Sequence, residues 1–200
     1  MKSTIAAFIV AGLMSTAGAS AQVFTSLSTF QTAIGNDPGA YTETFTGGAG
    51  SSVLQNFSGG SPLMAYAVTA GGGTPGVYRE GTFIGNNFSN ATLTFTFTTS
   101  NVFAVGGNFF VSDINDAFVA NASVTLNFSD GSTDTFTPSG VADFRGYVSS
   151  TAITSLVMTA PGAARFNTVD NLIVSSIPTP GAAAMLGLAG LVAAGRRRRA

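Results

Sequence analysis

Cysteine is missing from the sequence, which excludes a disulfide framework and any thiolate metal site. Histidine is missing too, and with it the commonest general base and the commonest transition-metal ligand. There is no tryptophan, so the 17 phenylalanines have to fill the bulk of any core. Basic side chains are scarce between the chain ends. Residues 22–176 hold all nine carboxylates but only Arg79, Arg145 and Arg165, a net charge of −6 (3 minus 9). The other five bases, Lys2 and Arg196 to Arg199, stand at the two chain ends. A sparsely charged, acidic domain lacks the clustered Lys and Arg that phosphate contacts need, so no nucleic-acid partner is expected.

The ends carry addresses. Met1-Lys2 is a basic start, Ile5 to Met14 is an apolar core of leader length, and Ala17-Gly18-Ala19 and Ala19-Ser20-Ala21 are both small-x-small cleavage sites, the second favoured. Residues 1–21 therefore predict a signal peptide removed after Ala21, leaving Gln22 first and implying Sec-type export. At the other end Pro178, Thr179, Pro180 and Gly181 interrupt any preceding element. An uncharged run from Ala182 to Ala194 follows, suited to a transmembrane helix, and Arg196, Arg197, Arg198 and Arg199 hold its end on the cytoplasmic side. At ~1.5 Å per residue that run reaches about 20 Å, short of the roughly 30 Å of a hydrocarbon core, which fits a temporary membrane handle.

Proline-x-proline, a small-residue apolar helix and a terminal arginine cluster resemble the PEP-CTERM sorting tail of exported bacterial proteins, with Thr179 in place of the usual glutamate. The resemblance implies an exosortase as partner, transient residence in the inner membrane, and delivery to the surface or extracellular matrix of a Gram-negative-type bacterium. A plain tail anchor is the other reading of the same residues. Several stretches of residues 24–174 also resemble domains that accompany this tail. They include Gly106-Gly-Asn-Phe-Phe-Val-Ser-Asp-Ile-Asn115, Val124 to Gly131 and Phe166 to Leu172. That likeness implies a fold and an exported setting, not an activity.

About 155 residues between the ends make one domain. Leu27, Phe30 and Ile34 share a helical face, Ser28 and Gln31 have capping-box spacing, and Gly35 stops the helix. Tyr41 to Phe45 alternates like a strand, Gly47 to Gly60 reads as a long loop, and Gly71 to Gly76 as another. From Phe83 onward the pattern is β. Leu93, Phe95 and Phe97 alternate with threonines, Val102 to Val111 carries Gly106-Gly107 as a bulge or close-approach signal, and Asp130-Gly131 turns a hairpin. Phe144 to Val148, Ile153 to Met158 and Phe166 to Val174 supply the last strands. This composition predicts an all-β sandwich of jelly-roll type with one short N-terminal helix.

No catalytic residues are assigned. The carboxylates are scattered, and neither a Gly-x-Ser-x-Gly elbow nor a phosphate-binding loop occurs. Calcium is the one cofactor candidate, because hard cations take carboxylate and amide oxygens in loops. Asp113, Asn115 and Asp116 offer three such groups in four residues, and Glu43 and Asp170 would meet if the first and last strands were neighbours. The plain alternative is a solvated turn and a strand end. Tyr41, Tyr66, Tyr78 and Tyr147 read as half-buried strand residues rather than sugar platforms. The resulting expectation is a non-catalytic exported envelope or matrix protein, exopolysaccharide-associated. A calcium-assisted carbohydrate-binding module is the alternative, and a carboxylate-only hydrolase the least favoured.

Overall fold

The computed structural model describes residues 21–46 and 52–176. Strands appear where the sequence alternates. The first elements are β1 (Gln22–Phe24), α1 (Leu27–Ala33), β2 (Tyr41–Glu43), β3 (Ser52–Leu54), β4 (Phe57–Gly59), β5 (Tyr66–Ala70), β6 (Val77–Glu80) and β7 (Phe83–Asn86). Next come β8 (Leu93–Phe97), β9 (Ala104–Ser112), β10 (Val124–Phe128) and β11 (Thr133–Phe136). The chain closes with β12 (Phe144–Val148), β13 (Ser155–Thr159) and β14 (Phe166–Ser175).

These strands form two antiparallel sheets packed face to face. One runs β1-β12-β9-β14-β7-β6-β3, with β2 also on β14; the other runs β11-β10-β13-β8-β5-β4. From β7 to β10 the chain crosses between sheets at every step. The β10–β11 hairpin interrupts the crossing once, and it resumes from β11 to β14. Each strand therefore sends its apolar alternates inward: Leu93, Phe95 and Phe97 of β8 meet Val105, Phe109 and Val111 of β9 in one core, while Thr94 and Thr96 stay outside it. Burying a large aliphatic or aromatic side chain is worth roughly 1.5–3 kcal/mol, so this row of phenylalanines supplies the bulk that tryptophan would otherwise provide.

Strand β9 is buried along its whole length. Its inner face meets the second sheet. Part of its outer face lies under α1, where Phe24, Phe30, Ile34, Ala104, Val148 and Ile173 make a second, smaller core. The helix can approach because Gly106 and Gly146 are cross-strand partners beneath the Phe30 ring. A Cβ on Gly146 would stand 2.4 Å from Phe30 Cδ2, and one on Gly106 would stand 2.7 Å from the Phe144 ring. The Gly106-Gly107 signal thus marks a close approach, and it marks a bulge as well. Strand β14 carries one extra residue between Asp170 and Ile173, at Asn171 with φ +51°, directly beside Gly107.

Three local expectations need correction. The helix starts after Ser26 rather than Ser28, with no side-chain cap: Ser26 Oγ pairs with Ser28 Oγ at 2.9 Å and so does not reach the first N–H groups. The 47–60 stretch is not wholly a loop, because β3 and β4 add to the edges of the two sheets. Its glycine and serine hide that role, since edge pairing is made by backbone. Tyr66 and Tyr147 are fully buried, not half-buried, each with its hydroxyl on a carboxylate.

The two ends of the domain emerge together. Gln22 pairs Val148, Val148 pairs Ala104, and Ala104 pairs Ser175, so the first and last strand residues stand in one row. Three strand spacings separate them, roughly 14 Å. Along β9, Ser112 lies at the opposite end of the sandwich, about 26 Å away. No helix among the described residues is long and apolar enough to cross a membrane.

Replacing Gly146 with alanine should cost about 1–3 kcal/mol by pushing Phe30 off the sheet. Gly140→Ala, where an added Cβ meets nothing within 4 Å, should stay within about 0.5 kcal/mol of the parent in urea unfolding. Equal effects of the two substitutions would refute the helix-seating role of the glycine pair.

Candidate functional site

Two of the concavities among the described residues take in candidate residues on the outer face of the larger sheet, at different heights along β9. The distal one holds the Asp113–Asp116 turn. Asp113 Oδ1 accepts N–H bonds from Asn115 at 2.8 Å and Ala117 at 3.0 Å, and Asp116 adopts φ +61° to close the turn. Short polar residues tolerate that left-handed conformation best. Asp113 thus holds its own loop, and Asn115 is exposed. Asp116 instead reaches across to β6, where the Tyr78 hydroxyl lies 3.0 Å from Asp116 Oδ2 and also donates to Glu80.

A phenol has one proton, so it can satisfy one of two carboxylates at a time. The other is left beside a like charge. Burial raises the Asp116 carboxyl above the usual carboxylate range; the Tyr78 hydrogen bond opposes this, while Glu80 and the charge of Asp113 add to it. The Tyr78 hydroxyl is itself pushed up by burial and by its two carboxylate partners. Beside this cluster lies a cavity of about 100 Å³, lined by Tyr78, Asn86, Ser112, Asp116 and Thr168 among others. Ser112 Oγ and Thr168 Oγ1 pair on its floor at 2.9 Å.

The second concavity is a groove of about 410 Å³ between α1 and the 141–144 segment. The β14 bulge forms its floor. Asp170, Asn171, Asn108, Gln31 and Thr42 present polar groups to it, and Leu27, Val141 and Phe144 its apolar walls. Asn171 Nδ2 donates to Asn108 Oδ1 at 3.0 Å, and Asn108 Nδ2 donates to the Asp143 carbonyl at 3.1 Å. Asp170 Oδ1 accepts from the Asn171 N–H at 2.7 Å. Burial raises the Asp170 carboxyl, and that single N–H bond only partly offsets the shift.

Glu43 occupies a third environment. Strands β2 and β14 are indeed neighbours, with Glu43 opposite Leu172. Glu43, however, points between the sheets, accepting from Tyr41 at 2.9 Å, Tyr66 at 3.1 Å and the Phe45 N–H at 2.9 Å. Asp170 points to the opposite face, into the groove. Adjacent strands therefore do not bring these two carboxylates to one ion, because the sheet itself lies between them. The five calcium candidates divide among three places, and among the described residues no three Asp or Glu side chains cluster closely enough to hold a metal.

Gln22 begins β1 and Ala21 precedes it. Ala19, Pro178, Thr179, Pro180, Gly181 and Arg196 to Arg199 lie outside the described residues. Read from the sequence, Glu80 and Asn108 have no role of their own, and Asn171 only that of capping a strand end beside Asp170. In a chain with only 8% charged residues, Tyr78-Arg79-Glu80 is a dense polar run that could have drawn notice. Asn108 and Asn171 carry no such signal, because only the bulge brings them together.

The acidic pair gives a pH dependence with a definite sign. The folded Asp116 carboxyl is raised relative to the unfolded chain, so the native state binds the proton more tightly. Its contribution to stability is present at low pH and is lost as pH rises through the folded-state value. Asp116→Asn should therefore raise the Tm near neutral pH by about 2–4 °C, the scale of relieving up to about 1 kcal/mol of like-charge contact, and the gain should vanish below pH ~4. Thermal melts across pH decide it; a Tm that falls at neutral pH would mean that the Tyr78 hydrogen bond outweighs the repulsion. Comparison of the chain with models of protein families, with curated proteins and with solved structures finds no match, so the functional reading rests on residues and geometry.

Proposed function

We propose that this is a non-catalytic exported protein, held at the inner membrane by its C-terminal tail, processed there by an exosortase, and delivered to the cell surface or an exopolysaccharide matrix. The observation that carries this reading is the shared row of Gln22 and Ser175. With Gln22 and Ser175 at one end of the sandwich, the leader and the tail join the domain on the same side. The domain can then stand on the membrane while its far end, with the Asp113–Asp116 turn, points away. Pro178, Thr179 and Pro180 form the recognition element in this account, and Arg196 to Arg199 set topology. The alternation of β7 to β14 between two sheets, broken once by the β10–β11 hairpin, supports a double-sheet jelly roll.

A structural calcium is the second proposal, favoured by the convergence of Glu80 and Asp116 on one hydroxyl beside a small cavity. Calcium that raises the Tm of the purified chain supports it, since a ligand of the folded state alone stabilises that state. An unchanged Tm at millimolar calcium removes the ion from the account.

Intact mass and cell fractionation in a native-type host test the main reading. A surface or medium species beginning near Gln22 and ending between Pro178 and Gly181 is expected, and Pro178→Ala with Thr179→Ala should retain the tail. A parent protein that keeps Arg196 to Arg199 in the inner membrane would make the tail a simple anchor.

A further inference from the structure

The groove at the β14 bulge has properties that packing alone does not require. Its volume, about 410 Å³, lies within the roughly 300–1,000 Å³ of small-molecule sites. Leu27 and Val141 stand on its two walls at 42% and 51% exposure, both among the few large apolar side chains left in solvent. Between them the Phe144 ring is half-buried, held from below by Phe30 at 5.4 Å. The second oxygen of Asp170, the Gln31 amide and the Thr42 hydroxyl have no hydrogen-bond partner among the described residues, and all three line this groove. The Asn108–Asn171 pair fixes the floor beneath them.

We propose that this groove binds a short segment of a neutral oligosaccharide. A pyranose ring offers a C–H face and a rim of hydroxyls. The apolar walls and the Phe144 ring suit the first, and a carboxylate flanked by amides suits the second, since it accepts from adjacent hydroxyls while the amides both donate and accept. No basic side chain lines the groove, so a uronate or phosphate would meet Asp170 with nothing to neutralise it. At the bulge itself an extended peptide finds no free strand edge, because Asp170 is already paired on both sides, to Asn108 and to Phe83. The bulge supplies the mechanism. The extra residue turns Asn171 out onto the face that also carries Asp170, and the main-chain carbonyls of Asp170 and Asn171 pass close to Gly107, where an added Cβ would stand 3.3 and 3.5 Å from them. The inference rests neither on calcium nor on tail processing, and it can fail while both hold.

The test titrates the purified full chain with cellotetraose, maltotetraose and laminaritetraose as neutral probes and tetragalacturonate as the anionic counterpart, by calorimetry. At least one neutral probe should bind with a micromolar to millimolar Kd, and tetragalacturonate should not. Asp170→Asn, which keeps the shape and removes a poorly solvated charge, should weaken that binding at least about tenfold without lowering the Tm. Val141→Arg, a change at an exposed position, should weaken it similarly by obstructing the wall. Failure of all three neutral probes, equal binding of tetragalacturonate, or a Kd unchanged in both variants would overturn the proposal.

Discussion

The burial of β9 on both faces is the constraint on which the rest of the molecule depends. A strand with one wet face can alternate polar and apolar residues; one covered on both sides needs material above and below it. Here the second sheet covers the inner face, while the outer face is covered by α1 at one end and by the 113–119 segment, through the Phe110–Phe118 contact, at the other. The two glycines of the Gly106–Gly146 pair let Phe30 sit directly on the sheet, and the bulge in β14 fits beside Gly107. The groove is the space left beside α1, between the helix and the 141–144 segment.

Electrostatics follow from the scarcity of bases. Among the described residues the one ion pair is Arg145 with Asp134, at 3.6 Å. Arg79 is drawn instead to the Phe45 and Thr46 carbonyls, where it fixes a left-handed Phe45. The carboxylates are therefore held largely by neutral donors. Asp130 shows this best: burial alone would raise it, yet Ser132 and Ser149 hold it below the usual carboxylate range while tying the β10–β11 turn to the end of β12. Asp116 and Asp170 go the other way, since their donors are too few to offset burial. That contrast sets two carboxyls apart from the structural ones.

Much of the architecture was legible in the alternation of β8, the Asp130-Gly131 hairpin and the Leu27–Phe30–Ile34 helical face. Strands β3 and β4 were not, because edge strands take their stability from backbone pairing that glycine- and serine-rich segments do not advertise. The candidate sites were legible only in part. Asp113 and Asp116 did prove to share a turn, but the residue that engages Asp116 is Tyr78, 38 positions earlier. Glu43 and Asp170 lie on paired strands and still point apart, because a side chain's face depends on the register and on the bulge between Asp170 and Ile173.

By itself the sequence determined the secondary-structure class, the excess of acid over base between residues 22 and 176 and the placing of the remaining bases at the two chain ends, because each depends on residues close together in the chain or on composition. The tertiary structure alone decided which carboxylates stay unsatisfied, which face each strand residue takes, and that Gln22 and Ser175 leave from one end. Those outcomes depend on pairings between distant strands, whose register is set by burial on both sides of the sheet rather than by any local run of residues.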